Sequence, residues 1–201
     1  DDAQERLQER TLASETVFEG RLISVRVDEV ELPSGQRSKR EIVEHRGAVA
    51  AVPLTADGEV ILVRQWRHPA GEALLEIPAG TCEAGEEPLE TIKRELIEEI
   101  CQRAGRVEPL ASVYLAPGYS SELIHLYLAT ELEPEEGQCD PDEQIEIVQM
   151  PLREALRVWE QSAWPADDFT VEANREDLAG LERRHGARQA FTYTVTDPAG
   201  E

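Results

Sequence analysis

Basic residues are scarce in this chain: 20 Lys and Arg stand against 42 Asp and Glu over 201 residues, for a formal net charge of -22. Nucleic-acid binders neutralise backbone phosphates with basic patches, and no such patch is visible, so nucleic acid is excluded as a partner. Cysteine is also sparse. Cys82, Cys101 and Cys139 have no CxxC spacing, which argues against a disulfide framework or a zinc site and points to a reducing cytoplasm. Long apolar runs are missing as well. There is no N-terminal apolar segment of the signal-peptide kind, and stretches such as Ile61 to Val63 are far too short to span a bilayer, so a soluble protein without a membrane partner is expected. What remains is 40% hydrophobic residues over 201 positions, enough for one well-buried core and a small appendage.

Along the chain, residues 1–14 are polar and acidic and read as a flexible lead-in or frayed helix. Residues 15–46 alternate β-branched and charged side chains around a Pro-Ser-Gly turn, the pattern of a small antiparallel sheet. Gly47 to Leu54 and Glu59 to Gln65 flank Asp57-Gly58 and read as a hairpin. Leu74 to Pro78, Val107 to Leu115, Leu123 to Ala129 and Ile145 to Met150 are further expected strands, and Leu152 to Glu160 an expected helix. Residues 131–143 read as a long acidic loop. The last forty residues are polar and carry a helical stretch near Val171 to Arg184. No internal repeat is found.

The centre of the chain, GTCEAGEEPLETIKRELIEEICQ, is the most informative segment. Pro88 marks the first turn of a helix, because its missing N–H costs nothing there. Leu89, Ile92, Leu96 and Ile100 form one apolar stripe, and Glu95, Glu98 and Glu99 sit on its shoulder, about 110° away at 3.6 residues per turn. Carboxylates at i, i+3 and i+4 are hard oxygen donors on one side of a helix, the minimum that Mg2+ or Mn2+ needs beside waters and phosphate oxygens. A cation held there would neutralise a diphosphate and activate water. Arg94 is expected to lie on the far side of the helix and orient a carboxylate. The plainer reading is a solvated face carrying Glu90–Arg94 and Arg94–Glu98 pairs.

The string from Gly80 through Glu86 to Arg94-Glu95-Leu96-Ile97-Glu98-Glu99 resembles the Nudix box, GX5EX7REUXEEXGU with U apolar. REIVEHRGAV (40–49), VRQWRHPAG (63–71), LLEIPAG (74–80) and APGYSSE (116–122) are similar to the ADP-ribose pyrophosphatase branch of Nudix hydrolases, with Pro117 at the branch's characteristic proline. The resemblance covers roughly residues 16–160. It implies an α/β Nudix fold, a mixed β-sheet sandwiched between α-helices, with a small N-terminal antiparallel β domain (15–46) ahead of a hydrolase domain with a C-terminal extension (47–201). It further implies metal ligands at Glu95, Glu99, Glu98 and the carbonyl of Ala79, with Glu83 for an additional ion, and a Glu86–Arg94 salt bridge within the box. Arg67, Arg40, Glu41 and the Pro117-Gly118-Tyr119 loop are assigned to substrate. The general base is assigned to Glu143, with Asp142 and Glu146 as rivals. The implied activity is hydrolysis of ADP-ribose or a related nucleoside diphosphate sugar, with Mg2+ or Mn2+ as cofactor and a homodimer as the assembly. A different NDP-sugar, a dinucleotide, or ADP-ribose binding without turnover are the alternatives.

The box departs from its pattern at Cys101 and Gln102, where a glycine and an apolar residue are expected. A glycine there ends the catalytic helix cheaply. Gly105 is expected to take over, with the helix running on through Gln102 and Arg103. Trp66, Tyr119 and Phe169 are candidate base-stacking aromatics, with packing the competing role, and His68 and His125 are read as structural.

Overall fold

The computed structural model describes residues 2–135 and 144–163. The chain opens with a helix, α1 (Asp2–Leu7), and three antiparallel strands in sequence order, β1 (Arg10–Glu19), β2 (Ser24–Glu31) and β3 (Arg37–Glu44). Residues 10–14, expected in a flexible lead-in, are the first half of β1. They pair with β2 from Arg10 opposite Glu31, and the hydrogen bonds of that ladder order a stretch whose polarity alone suggested none. The Pro-Ser-Gly turn is present: Gly35 takes φ 82° and donates its N–H to the Leu32 carbonyl at 2.8 Å.

The rest of the described chain builds two sheets. One runs β7 (Ala79–Thr81), β4 (Ala48–Pro53), β9 (Leu123–Pro134), β8 (Gln102–Tyr114), and it is mixed, because β4 and β9 are parallel while its other pairs are antiparallel. The other runs β10 (Ile145–Pro151), β5 (Glu59–Arg67), β6 (Glu72–Glu76), all antiparallel. The Asp57-Gly58 turn forms, with Gly58 at φ 79°, but the expected β4–β5 hairpin does not. A single bridge joins Leu54 to Val60, after which the two strands part into different sheets. Both are near-continuous apolar runs, the mark of strands covered on both faces, and each finds partners on both edges instead of pairing with the other.

The helix α2 (Pro88–Ile100) starts where Pro88 places it and lies on both sheets. Ile92, Leu96 and Ile100 are buried in one cluster with Val49 and Ala51 of β4, Ile61 and Val63 of β5, and Tyr127 and Ala129 of β9. Each of the three helix side chains contributes about 1.5–3 kcal/mol by leaving water, which fixes the roll of α2 and hence where its glutamates point. Leu89 is 39% exposed and lies outside this stripe. The final described helix, α3 (Leu152–Ala163), follows β10 directly and packs on β10 and β5. Among the described residues, no helix is long and apolar enough to cross a membrane.

Candidate active site

Two glutamates one helical turn apart on α2 settle onto consecutive residues of the short strand β7. The Ala79 N–H donates to Glu99 Oε2 at 2.9 Å. One residue on, the Glu95 carboxylate lies against the α-carbon of Gly80, so closely that a Cβ built there would stand 2.0 Å from its Cδ and Oε1. Glu99 is 3% exposed and Glu95 is 9% exposed. Burying carboxylates is costly unless they are bonded, and these are held by the backbone of β7 and by Arg94. Because Ala79 is itself locked opposite Ala50 of β4, the helix and the sheet fix both carboxylates before any ligand arrives.

Arg94 ties the remaining carboxylates together. Its Nε and Nη2 donate to Glu86 Oε1 and Oε2 at 3.2 and 3.1 Å, while Nη1 donates to Glu95 Oε1 at 2.9 Å and to Glu98 Oε2 at 2.7 Å. Its hydrogen bonds to Glu86 hold the guanidinium well above its ordinary pKa and hold Glu86 below the usual carboxylate range. Arg94 therefore stands among the carboxylates rather than on the far side of the helix, while the expectation that it orients them agrees with the geometry. The Arg94–Glu98 pair of the plainer reading forms as well, whereas Glu90 pairs with Lys93 instead. Glu83 stands at the start of the preceding turn, its N–H 3.3 Å from Glu86 Oε2, and Gly85 supplies φ 82° so that the loop can enter α2.

Among the described residues, no three His, Cys, Asp or Glu side chains converge on one metal-holding point. The donor set nonetheless fits a hard divalent cation in kind. Glu95, Glu98 and Glu99 occupy a single stretch of α2, with Glu99 on the Ala79 amide and Glu95 against Gly80, and the Arg94 guanidinium faces more carboxylate charge than it offsets.

The departure at Cys101 is resolved differently from the sequence expectation. The helix ends at Ile100, and Cys101 itself takes the left-handed conformation, φ 53° and ψ 40°, with its N–H donating back to Ile97 O. Gly105 lies within β8. The chain has to turn at once because Gln102 already pairs with Pro134 of β9 and the Glu135 N–H donates to the Cys101 carbonyl. A cysteine pays for that conformation where glycine does not. Cys101→Gly is expected to raise unfolding stability by about 1 kcal/mol, read as a higher urea midpoint with unchanged slope. A lower midpoint would contradict the cost assigned to this residue.

A second group of candidates meets elsewhere. Arg40 and Glu41 of β3 and the Pro117-Gly118-Tyr119 loop line one cavity of about 370 Å3, together with Glu9, Ile42, Ser120 and Ser121. The loop is pinned to the end of β3, with Val43 N–H donating to Tyr119 O at 2.7 Å and Ser121 N–H donating to Val43 O at 3.0 Å. Ser121 also lines a neighbouring cavity of about 450 Å3, which takes in Glu83, Gly85 and Glu86 of the turn before α2. Arg67 does not reach the Arg40 cavity. It lies at the end of β5 with both Glu76 oxygens on its guanidinium, the shortest contact 2.6 Å. Glu143 and Asp142 lie outside the described residues, and Glu146 pairs with Arg64 at the surface. His125 is satisfied by Ser112 at 2.7 Å, in keeping with its structural reading, while Trp66 is exposed. Sequence reasoning overlooked Glu9, which sits in a polar stretch with no periodic signal, and the direct contact of Gly80 with Glu95, which the first position of the box could have suggested.

A family profile described as NUDIX domain matches residues 44–170, and one described as nucleoside diphosphate sugar hydrolase N-terminal domain matches residues 9–43. An ADP-ribose pyrophosphatase of Bacillus subtilis is 43% identical over 156 residues, covering 77% of this chain and 84% of that protein. A GDP-mannose pyrophosphatase of Cronobacter sakazakii is 38% identical over 132 residues, covering 60% and 68%. A crystal structure of an ADP compounds hydrolase superposes with a TM-score of 0.68 at 28% identity, covering 90% of this chain and 97% of that one. With glutamates seated on β7, an arginine binding the box carboxylates and a matching N-terminal sheet, the chain belongs to the Nudix hydrolase family.

Proposed function

We propose that the protein is a Mg2+- or Mn2+-dependent pyrophosphohydrolase that cleaves ADP-ribose or a related nucleoside diphosphate sugar into a nucleoside monophosphate and a sugar phosphate. The observation that carries this reading is the seating of Glu99 and Glu95 on Ala79 and Gly80. Glu95, Glu98, Glu99 and the Ala79 carbonyl would hold the cation, with Glu83 available for an additional one. When bound, the cation offsets diphosphate charge and acidifies water. The names of the Bacillus and Cronobacter relatives support the substrate class. Arg94 and Glu86 keep the carboxylates in place. Arg40, Glu41 and the Pro117-Gly118-Tyr119 loop receive the nucleotide, Arg67 approaches from the end of β5, and Glu143 serves as the general base. The setting is the reducing cytoplasm, in line with Cys82 and Cys101 as unpaired thiols. The assembly is a homodimer, for which the exposed Val17, Phe18 and Leu22 of the N-terminal segment supply apolar surface.

The test is incubation with Mg2+ or Mn2+ and a panel of ADP-ribose, other NDP-sugars and dinucleotides, with release of monophosphate followed alongside a solution mass measurement. Metal-dependent AMP release from ADP-ribose is expected. Tight ADP-ribose binding without turnover would replace the enzyme with a binding module, and a single-chain mass would remove the homodimer.

A further inference from the structure

Arg40 enters its cavity with its edge already occupied. Nε and Nη2 donate to the two oxygens of Glu9 at 2.9 and 2.5 Å, a fork-to-fork pair, and Nη1 donates to Ser38 Oγ at 3.1 Å and to the Lys39 carbonyl at 3.0 Å. A guanidinium has five N–H groups, and these bonds engage four of them. Little is left along the rim to read a ligand's donors and acceptors. The flat face of the ion remains, and guanidinium faces stack on aromatic rings. Tyr119, 61% exposed, lines the same cavity and is held there by the loop's bonds to Val43. At about 370 Å3 the cavity lies near the small end of the roughly 300–1,000 Å3 range of ligand pockets, which suits a single planar group better than a whole sugar nucleotide.

We propose that Glu9 is a positioning residue that fixes the plane of Arg40, so that the guanidinium receives the nucleobase of the substrate by its face, with Tyr119 as the aromatic contact. This rests on the reading of the cavity as the seat of the nucleotide. Glu9 approaches from the segment between α1 and β1, and its carboxylate holds two of the three nitrogens of Arg40 from outside β3. Without it the guanidinium regains rotamer freedom and its rim turns to solvent. Recognition by a face is tolerant of base identity, because every base has a π surface, and it favours the larger purines. The site then distinguishes purine from pyrimidine diphosphate sugars more sharply than adenine from guanine.

The test is steady-state hydrolysis of ADP-ribose by the full chain and by Glu9→Gln, Arg40→Ala, Arg40→Lys and the Glu9→Gln/Arg40→Ala double variant, with ADP-, GDP- and CDP-sugars compared on the parent. Glu9→Gln is expected to raise KM about tenfold with kcat within about twofold, since a charge-assisted fork is lost away from the reacting phosphates. In the Arg40→Ala background the same change is expected to add nothing, because the group it positions is gone. Arg40→Lys keeps the charge but has no plane, and its KM is expected to rise as in Arg40→Ala. The ADP- and GDP-sugars are expected to share a KM within about threefold, with the CDP-sugar weaker. A wild-type KM in Arg40→Lys, an unchanged KM in Glu9→Gln, or an equal Glu9→Gln effect in both Arg40 backgrounds would overturn the positioning role while leaving the nucleotide seat standing. An unchanged KM in Arg40→Ala would remove the nucleotide seat itself, and the inference with it.

Discussion

Glu99→Gln is expected to lower kcat for ADP-ribose about a thousandfold at saturating Mg2+ while leaving the folded protein intact. The amide is the same size as the carboxylate, and its oxygen can still accept the Ala79 N–H that Glu99 Oε2 now accepts at 2.9 Å. Burial works in favour of the neutral group at this 3% exposed position, so stability should change by less than about 1 kcal/mol. What disappears is one negative charge beside β7. Glu99→Ala would be a poorer probe, because it also leaves the Ala79 N–H without its acceptor, at a cost of about 1–3 kcal/mol. Activity is measured as monophosphate release and folding as the thermal transition. A rate within tenfold of the parent with a normal transition would show that this carboxylate is structural.

Gly80→Ala is the second large effect, and it reaches the same site from the strand. The new Cβ would meet Glu95 Cδ and Oε1 at 2.0 Å and Cγ at 2.6 Å, well inside van der Waals contact. All three atoms belong to the outer part of a flexible side chain, so the helix need not move, but the carboxylate must swing off β7. That breaks the 2.9 Å bond to Arg94 Nη1 and moves a carboxylate proposed to hold the cation by roughly an ångström or more. A misplacement of that size costs about a hundredfold in rate. The backbone at Gly80 is not in the left-handed region, so alanine itself adds no strain there. A loss of kcat of about a hundredfold without loss of the folded state is therefore expected, read from parallel rate and melting measurements. Wild-type activity in Gly80→Ala would mean that Glu95 works equally well elsewhere.

Much of this site was legible in the chain because α2 carries several signals that agree. Pro88 sets its start, the Ile92, Leu96 and Ile100 stripe sets its roll, and the glutamate spacing then places Glu95 and Glu99 on the side that meets β7. Strand existence was legible too, since β2, β3, β5 and β10 fall where alternation or apolar runs place them, whereas β8 starts at Gln102 instead of Val107 and β9 runs to Pro134, into the 131–143 stretch expected as an acidic loop, because the two pair with each other along that whole length. Pairing was not. The Asp57-Gly58 turn is a local signal, while the separation of β4 and β5 is decided by partners distant in sequence, β9 and β10. The end of α2 was misplaced for a similar reason: glycine is the cheap left-handed residue, but the pairing of Gln102 with Pro134 compels Cys101 to adopt that conformation regardless. Glu9 left no trace in periodicity because its role is a single long-range bond to Arg40. Arg67, matched by resemblance to a substrate contact, is engaged with Glu76 here through Nε and Nη2.

The seating of Glu95 and Glu99 on β7 as a preformed cation site is the claim on which the rest depends, and Mn2+ titration followed by electron paramagnetic resonance reads it without reference to turnover. The parent chain is expected to take up Mn2+, and Glu99→Gln to lose that uptake while melting normally. Undiminished Mn2+ binding in a folded Glu99→Gln would contradict it.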